Sequence, residues 1–401
     1  MVDETQDSNT SNIMLFKLLS KNCNLFVVAD IDQSIYGWRG AKPEYLINNS
    51  SQYKLFKLEQ NYRSTQTIVD ASNSVISHNI KRIDKTCFSK NRIGDMITYA
   101  NFNRDYEEAR FIAKEINVYK NLGINLNDIF ILYRTNSQSR IFEEVFIKSG
   151  VPYNIIGALG FNDRQEIKDC LAFIRVAVND KDRQSFKRAL LTLDGIGQKA
   201  VEDILNLYDV KRSATVALSL YNPKGQKAIE SKKFMLELLN LTASRPYQIV
   251  DKAAYYFIGK YKLENTPKSL ERIQNLEELM NVSKEKEKEG LNIEDFVDQM
   301  DLLSSKDKKS KEGTVSMMTV HASKGLEAGI VFGVGLNDGI LPHGNSINDA
   351  DELEEERRIM YVLMTRAKDK LYLTSFGSNG QKSYHHSRFI SEIPSKFVER
   401  L

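Results

Sequence analysis

Apolar and polar positions follow two different patterns along the chain. Apolar runs at residues 25–30 and 129–133 lead into polar or acidic residues, as do buried parallel strands that deliver a functional loop. Apolar residues at helical spacing predict a helix over residues 105–122, and a second helix is predicted over residues 137–149. A glycine follows each helix as a stop. Strand, loop and helix in repetition predict an α/β domain.

The middle of the chain differs, because strand-like runs are absent between residues 165 and 272. Apolar residues recur there at helical spacing, which predicts a mostly helical region. They include Ile167, Leu171, Ile174 and Val178. Charged stretches follow at residues 283–289 and 304–312. Both fit solvated helix surface or flexible connection, and we interpret the second as a linker.

The α/β pattern resumes after Gly313. Strands are predicted at residues 314–320, 329–335 and 371–374, and a helix at residues 352–367. The pattern therefore predicts an α/β protein that carries a mostly helical insertion.

Composition narrows the class of protein only a little. The 401 residues are enough for about two to three domains. With 56 Lys and Arg against 53 Asp and Glu, the net charge of +3 gives no argument for nucleic acid by itself. Three widely spaced cysteines form no metal or disulfide pattern, which indicates free thiols. No apolar run has the length of a membrane span and the N-terminal residues show no basic-then-apolar pattern, so we expect a cytoplasmic protein.

The first candidate chemistry lies at the amino end. Asp3 and Glu4 form an adjacent acid pair of the kind that ends a nucleotide-site strand, although the pair alone is weak evidence and the alternative is a helix N-cap. The loop after residue 30 then combines Tyr36, Trp38 and Arg39 with glycines on either side. Aromatic rings beside a guanidinium are suited to stacking on unpaired bases while holding phosphate. The alternative is that Trp38, the only tryptophan, belongs to a core.

Taken in order, the polar stretches resemble the motifs of the UvrD/PcrA/Rep family of superfamily-one DNA helicases. The principal matches are DETQD (3–7), DQSIYGWRGA (32–41), LEQNYRS (58–64), HASKGLE (321–327) and EERRIMYVLMTRA (355–367). Lesser matches are LYRTNSQSR (132–140), FNDRQEIKD (161–169) and SRFISEIP (387–394). Five ordered motifs over nearly the whole chain make the resemblance far more specific than a single motif would.

This resemblance implies RecA-like P-loop NTPase motor domains with ATP between them and 3′-to-5′ movement on single-stranded DNA. We assign residues 1–62 to the C-terminal remnant of the first motor domain. Residues 63–160 and 313–401 are assigned to the second motor domain, and residues 161–312 to its helical insertion. The implied partners are single-stranded DNA and its junctions with duplex, with no membrane.

The resemblance also implies roles in a nucleotide site. Asp3 would serve Mg²⁺, and Glu4 would polarise the attacking water. Gln33 would sense the γ-phosphate, while Arg63 and Arg366 would be the two arginine fingers. The implied cofactors are therefore ATP and Mg²⁺.

The remaining implied roles concern adenosine and DNA. Tyr62 would stack on the adenine and Glu327 would touch the ribose. The implied DNA contacts are Tyr36, Trp38, Arg39, Arg134, Asn136, His321 and Lys324. In the helical region, Gly195 and Gly197 resemble a Gly-Ile-Gly hairpin that contacts duplex backbone, since glycine lets backbone amides approach phosphate. A plain turn between helices is an equal alternative for that hairpin.

The sequence departs from the family at one important place. None of its 21 glycines belongs to a Gly-x-x-x-x-Gly-Lys-Ser/Thr phosphate loop. Met1 stands where the family has an apolar strand residue, so we expect an N-terminally truncated chain that begins at the Walker B motif. A longer reading frame or a partner protein would then supply the missing half. A smaller departure is Ala328-Gly329 after KGLE, where the family usually has Phe.

Three hypotheses stay open at this level. The chain is a portion of an ATP-dependent DNA helicase, or a DNA-binding and interaction module that cannot hydrolyse ATP, or a decayed fragment. The missing phosphate loop argues against ATP hydrolysis by these residues alone.

Overall fold

The computed structural model describes residues 1–241, 246–302 and 313–401. The chain forms two compact units. The first comprises Met1–Ala158 and Asp307–Leu401, and the second comprises Leu159–Lys306. The second unit is therefore inserted into the sequence of the first.

The helices and strands are numbered in chain order. The strands are β1 (Gln60–Asn61), β2 (Phe88–Ser89), β3 (Ile97–Arg104), β4 (Ile129–Tyr133), β5 (Tyr153–Ile155), β6 (Val315–Thr319), β7 (Ala328–Gly333), β8 (Ala367–Ser378) and β9 (Val398–Arg400). The helices of the first unit before the insertion are α1 (Thr10–Leu19), α2 (Glu44–Asn49), α3 (Gln66–Ile76), α4 (Asp105–Asn121) and α5 (Ser139–Ser149). Those of the second unit are α6 (Gln165–Val178), α7 (Arg183–Thr192), α8 (Gln198–Lys211), α9 (Ala214–Leu220), α10 (Gln226–Leu239), α11 (Pro246–Glu264), α12 (Pro267–Lys288) and α13 (Ile293–Leu302), and the first unit then ends with α14 (Ala350–Met364) and α15 (Arg388–Ser391).

A seven-stranded sheet is the centre of the first unit, with the strand order β5-β6-β4-β7-β8-β3-β9. Every pairing in it is parallel. Along β4, Phe130 and Leu132 pack with the core that includes residues of α3 and α14. Ile131 and Tyr133 point to the opposite core, which includes residues of α4 and α5. The two-residue period of a strand therefore builds a helix–sheet–helix sandwich, and the predicted α/β, RecA-like class is confirmed.

The parallel sheet also places the candidate site. Loops that leave the carboxyl ends of parallel strands emerge at one edge of the sheet. The loop after β4 starts at Arg134, and the loop after β6 contains His321 and Lys324. The predicted strands at residues 129–133, 314–320, 329–335 and 371–374 are all present, the last as part of the longer β8. The predicted helix at residues 352–367 ends at Met364, since β8 begins at Ala367.

The expectation of a buried strand at residues 25–30 is wrong. Val27 forms one parallel bridge with Val2, and the hydrogen bonds from Val2 N to Phe26 O (2.9 Å) and from Val28 N to Val2 O (2.8 Å) flank it. Phe26 is 59% exposed, and Val27 and Val28 are only partly buried. Within the described residues this segment bridges only to Val2 instead of lying inside a sheet, so its apolar side chains are not enclosed.

The second unit is helical throughout its described residues, as its spacing predicts. Ile167, Leu171 and Ile174 lie on the buried face of α6 and belong to one large core. The charged stretch at residues 283–289 lies at the carboxyl end of α12, and the predicted linker at 304–312 lies outside the described residues. Across the described parts of the chain, no helix is long and apolar enough to cross a membrane.

A buried carboxyl group makes the stability of the first unit depend on pH. Glu108 on α4 is 1% exposed, and its Oε1 accepts hydrogen bonds from Gly335 N (2.9 Å) and Thr374 Oγ1 (2.6 Å). Burial outweighs these bonds and raises the pKa of Glu108 from 4.5 to about 7. The folded state therefore binds this proton more tightly than the unfolded state. The resulting stabilisation is complete below pH 4.5 and is lost as pH rises through about 7.

We expect this group to lower the free energy of unfolding by on the order of 2–3 kcal/mol between about pH 4 and pH 8. Glu108→Gln keeps an acceptor oxygen and removes the titration. Urea unfolding of both proteins across this range should show that the wild type loses stability relative to the variant as pH rises. The exposed Glu202→Gln is the control for the loss of one charge. A difference between wild type and Glu108→Gln that does not change with pH would contradict the prediction.

Candidate nucleotide and nucleic-acid site

Asp3 and Glu4, the acids predicted to end a strand, follow only the single bridge between Val2 and Val27. Asp3 is exposed, and its Oδ1 accepts a hydrogen bond from Glu4 N (2.8 Å). Glu4 has a left-handed backbone with φ of 50°, which is uncommon for a residue with a side chain. Its Oε2 accepts a hydrogen bond from Gln6 Nε2 (2.6 Å) and lies 3.4 Å from Lys324 Nζ. The turn therefore directs Glu4 toward the loop after β6.

Lys324, predicted as a DNA contact, lies among these acids. Its ammonium donates to the Asp7 carboxylate and to the Gln33 carbonyl (3.0 Å), and it lies 5.3 Å from the centre of the Tyr36 ring. Only 11% of its side chain is exposed. Asp7 was not among the predicted site residues, although it is the last residue of DETQD. Lys324 thus joins the turn at residues 3–7 to the loop from Asp30 to Arg39, which carries Tyr36 and Trp38 and which we name the aromatic loop.

Gln33 and Arg366 meet across the site. Gln33 Nε2 donates to Asp30 Oδ2 (2.7 Å), and its Oε1 accepts from Arg366 Nη2 (3.4 Å). Arg366 is 1% exposed and also donates to the carbonyls of Val362 (3.1 Å) and Leu326 (3.2 Å). Burial, and then the charge of Arg63, lower the pKa of Arg366 to about 10. The guanidinium is still charged near neutral pH, and these acceptors hold it in place.

Arg63 and Glu327 are joined directly. Arg63 Nε donates to Glu327 Oε2 (2.6 Å), and its Nη1 donates to the Thr365 carbonyl (3.1 Å). Lys368 lies 3.1 Å from the other oxygen of Glu327, so hydrogen bonds from both cations lower the pKa of Glu327. Tyr62, the residue before Arg63, is 78% exposed. The structure therefore brings together one carboxamide, two guanidinium groups and one carboxylate from motifs that are far apart in sequence.

The aromatic loop lies beside this cluster. Trp38 is 52% exposed, and the Arg39 guanidinium lies 4.6 Å from the centre of its ring, so Trp38 is not a core residue. Tyr36 lies with its ring centre 6.4 Å from Trp38 and 6.1 Å from His321, and its hydroxyl donates to the His321 carbonyl (3.2 Å). Burial, then the charge of Arg134, lowers the pKa of His321 to about 3. His321 is therefore neutral near pH 7.

Arg134 is engaged inside the protein. Its guanidinium donates to both oxygens of Glu356, at 2.7 to 3.2 Å, and the side chain of Glu356 is only 4% exposed. Asn136, two residues later, begins a short 3₁₀ turn and is partly buried. Glu356 lies in the EERR motif but was not predicted as a partner, because nothing in the local pattern joins it to Arg134.

The glycine hairpin belongs to the second unit and is described by itself. Gly195 has φ of +77°, and a Cβ there would lie 2.7 Å from the backbone nitrogen of Ala228. The preceding residue is held on three sides, because Asp194 N donates to the Tyr256 hydroxyl (3.0 Å), Ser231 donates to Asp194 O (2.7 Å) and Lys260 donates to Asp194 Oδ1 (2.7 Å). The hairpin is therefore a rigid turn that requires glycine at its first position.

We expect Gly195→Ala to lower the free energy of unfolding by about 1–3 kcal/mol, because both the positive φ and the close backbone disfavour a side chain. Gly197 is the matched control, since it has φ of −81°, caps α8 and has nothing within 4 Å of an added Cβ. Gly197→Ser should leave stability unchanged or raise it slightly. Chemical denaturation of the three proteins provides the measurement. Equal stability of Gly195→Ala and the wild type would contradict the strain.

The parallel α/β fold and the ordered motifs are those of the RecA-like class, to which the motor domains of helicases belong. The model of the UvrD/REP helicase N-terminal domain matches residues 1–54, and that of the UvrD-like helicase C-terminal domain matches residues 56–378. The ATP-dependent DNA helicase PcrA of Staphylococcus aureus (strain Mu50) is 37% identical over an alignment of 430 positions, which covers 99% of this chain and 58% of that protein. PcrA of Staphylococcus epidermidis is 36% identical over an alignment of 433 positions, with the same coverage.

The chain belongs to the UvrD/PcrA/Rep family of UvrD-like helicases. It spans 58% of the length of these relatives. The resemblance seen in the five motifs is thereby confirmed, whereas the roles of individual site residues stay predictions.

Proposed function

We propose that the chain carries the second motor domain and part of the first motor domain of an ATP-dependent DNA helicase that moves 3′ to 5′ along single-stranded DNA. In this proposal residues 1–62 belong to the first motor domain, residues 63–160 and 313–401 form the second, and residues 161–312 are its insertion. The observation that carries the proposal is the convergence of Gln33, Arg63, Arg366 and Glu327 on one cluster.

The residues of this cluster suit a nucleotide. Tyr62 is 78% exposed, so a purine can reach its ring, and Glu327 accepts a hydrogen bond from the next residue, Arg63. Gln33, Arg63 and Arg366 carry the donors that compensate phosphate charge. Asp3 is exposed, and Mg²⁺ is commonly held by one or two carboxylates together with phosphates and water. Bound Mg²⁺ would neutralise phosphate charge, and Glu4 would polarise the attacking water.

The aromatic loop supports binding of single-stranded DNA. Tyr36 and Trp38 present rings next to Arg39, and base stacking with a nearby cation is the common means of holding unpaired strands. Asn136 follows β4 at the carboxyl edge of the seven-stranded sheet, and His321 and Lys324 follow β6 at that edge. We also propose that Gly195 and Gly197 expose backbone amides to duplex phosphate near a junction.

DNA binding and ATP hydrolysis test two parts of the proposal. Fluorescence anisotropy with a labelled oligothymidine should show binding that weakens steeply as salt is raised, because phosphate contacts release counterions. No binding at low salt would contradict the proposal. Hydrolysis of ATP stimulated by single-stranded DNA would favour the helicase. Binding without hydrolysis would favour the DNA-binding module that lacks a phosphate loop. Release of streptavidin from 3′- or 5′-biotinylated strands reports the direction of movement.

A further inference from the structure

Two cations outside the matched motifs hold the loop that carries Gln33 and Trp38. They lie in the segment 80–87, between α3 and β2, which we name the clamp segment. Arg82 donates to both oxygens of Asp32, from Nε (3.2 Å) and Nη2 (2.9 Å). Lys85 donates to the Asp30 carboxylate, and its Nζ lies 3.6 Å from Asp32 Oδ2. The Asp32 side chain is 1% exposed, so its charge depends on these partners.

Asp30 links Lys85 to Gln33, because its carboxylate accepts hydrogen bonds from both. Its Oδ2 accepts from Gln33 Nε2 (2.7 Å), and its Oδ1 accepts from Asp32 N (3.0 Å). With the amide nitrogen of Gln33 held in this way, its Oε1 is left to accept from Arg366. Removal of Lys85 would leave Asp30 without its cation and would release the carboxylate that orients Gln33.

Contacts with other elements hold the rest of the loop between Asp32 and Trp38. Ser34 Oγ donates to the Gln6 carbonyl (3.1 Å), and Ile35 is completely buried. Gly37 N donates to Glu355 Oε1 (3.0 Å), and a Cβ on Gly37 would lie 2.2 Å from the other oxygen of Glu355. The residues between Asp32 and Trp38 therefore have little freedom, and we expect a shift at Asp30 and Asp32 to change the surroundings of Trp38.

We infer that Arg82 and Lys85 are positioning residues, which hold the loop from Asp30 to Arg39 so that Gln33 and Trp38 are oriented together. Neither cation is among the proposed nucleotide or DNA contacts, and each acts through a carboxylate of the loop. The inference rests on the proposed function where it concerns nucleotide and DNA. Its structural part, the fixed position of the loop, stands by itself.

The single tryptophan makes the loop directly observable. Trp38 emission and its quenching by acrylamide should change in Lys85→Met and in Arg82→Met, by about twofold or more in the quenching constant. Lys85→Arg should give the same Trp38 signal as the wild type, because it retains the positive charge. Arg92→Met is the matched control, since Arg92 forms an ion pair with Asp369 in which both side chains are largely exposed. That pair should contribute little, so Arg92→Met should match the wild type.

DNA affinity gives a second readout. Lys85→Met should weaken oligothymidine binding by about three- to tenfold, although Lys85 is not a DNA contact in the proposal. If the wild type binds no DNA, the proposed function fails, and Trp38 quenching still decides the role of the clamp segment. If a single variant loses cooperative unfolding, the double variant Arg82→Met/Asp32→Asn removes both buried charges and is measured in its place. Folded Lys85→Met and Arg82→Met, or that double variant, with wild-type Trp38 quenching would overturn the inference.

Discussion

Replacing Arg134 by alanine should lower the free energy of unfolding by about 3–5 kcal/mol, because it leaves the Glu356 carboxylate buried without its cation. Both oxygens of Glu356 accept from this guanidinium, and the only other bond found for them among the described residues comes from His343 N (3.0 Å). The pair joins the loop after β4 to α14, so its loss should loosen the carboxyl edge of the sheet. Urea or thermal unfolding of the purified variant provides the measurement.

A second substitution separates the lost charge from the lost packing. Glu356→Gln removes the buried charge, so the double variant Arg134→Ala/Glu356→Gln should recover much of the stability lost in Arg134→Ala. Arg188→Ala is a comparison in the second unit, since Asp169 is also poorly exposed but Arg188 is 42% exposed. We expect a smaller loss there. Unchanged stability of Arg134→Ala combined with a large loss of DNA affinity would contradict the structural role and favour the direct DNA contact that the motif implies.

Trp38→Ala should weaken binding of single-stranded DNA by on the order of 10- to 100-fold, because stacking on one base contributes about 1–3 kcal/mol. The side chain is 52% exposed, with Arg39 over its ring, so its removal should leave the fold intact. Trp38→Phe should retain most of the affinity, since a smaller ring can still stack. Anisotropy titrations at two salt concentrations should show a similar salt slope for all three proteins, because the phosphate contacts are unchanged.

Tyr255→Ala is the matched control for loss of an exposed aromatic ring. Tyr255 is 60% exposed on α11, in the second unit, and is not part of any predicted site. Its removal should leave oligothymidine affinity at the wild-type value. Equal affinities of wild type and Trp38→Ala, or equal losses in Trp38→Ala and Tyr255→Ala, would contradict the role of the aromatic loop.

Local pattern was sufficient for most of the fold and for the family. The run at residues 129–133 became β4 with all five residues buried, and the helical spacing of residues 105–122 became α4. The five motifs agree with the family matches over residues 1–54 and 56–378. These features are local, because the period of apolar residues and the order of a motif are written into neighbouring positions.

The same local pattern was misleading at residues 25–30. Their apolar composition is that of an interior strand, yet Phe26 is 59% exposed. Burial is decided by what lies on both sides of a segment, and a run of residues carries no information about its neighbours in space. Arg134 shows the same limit for charge, since the loop that predicts a DNA contact does not reveal Glu356, 222 residues later.

The sequence alone thus established the α/β class, the helical insertion and the set of motif residues, because each follows from spacing over a few turns or strands. The partner of each charged residue was decided only by the tertiary structure. Lys324 meets Asp7 across 317 positions of the chain, and Arg82 meets Asp32 across 50. Ion pairs form wherever folding brings opposite charges into a poorly hydrated place, and their energies depend on that burial, which no stretch of residues determines by itself.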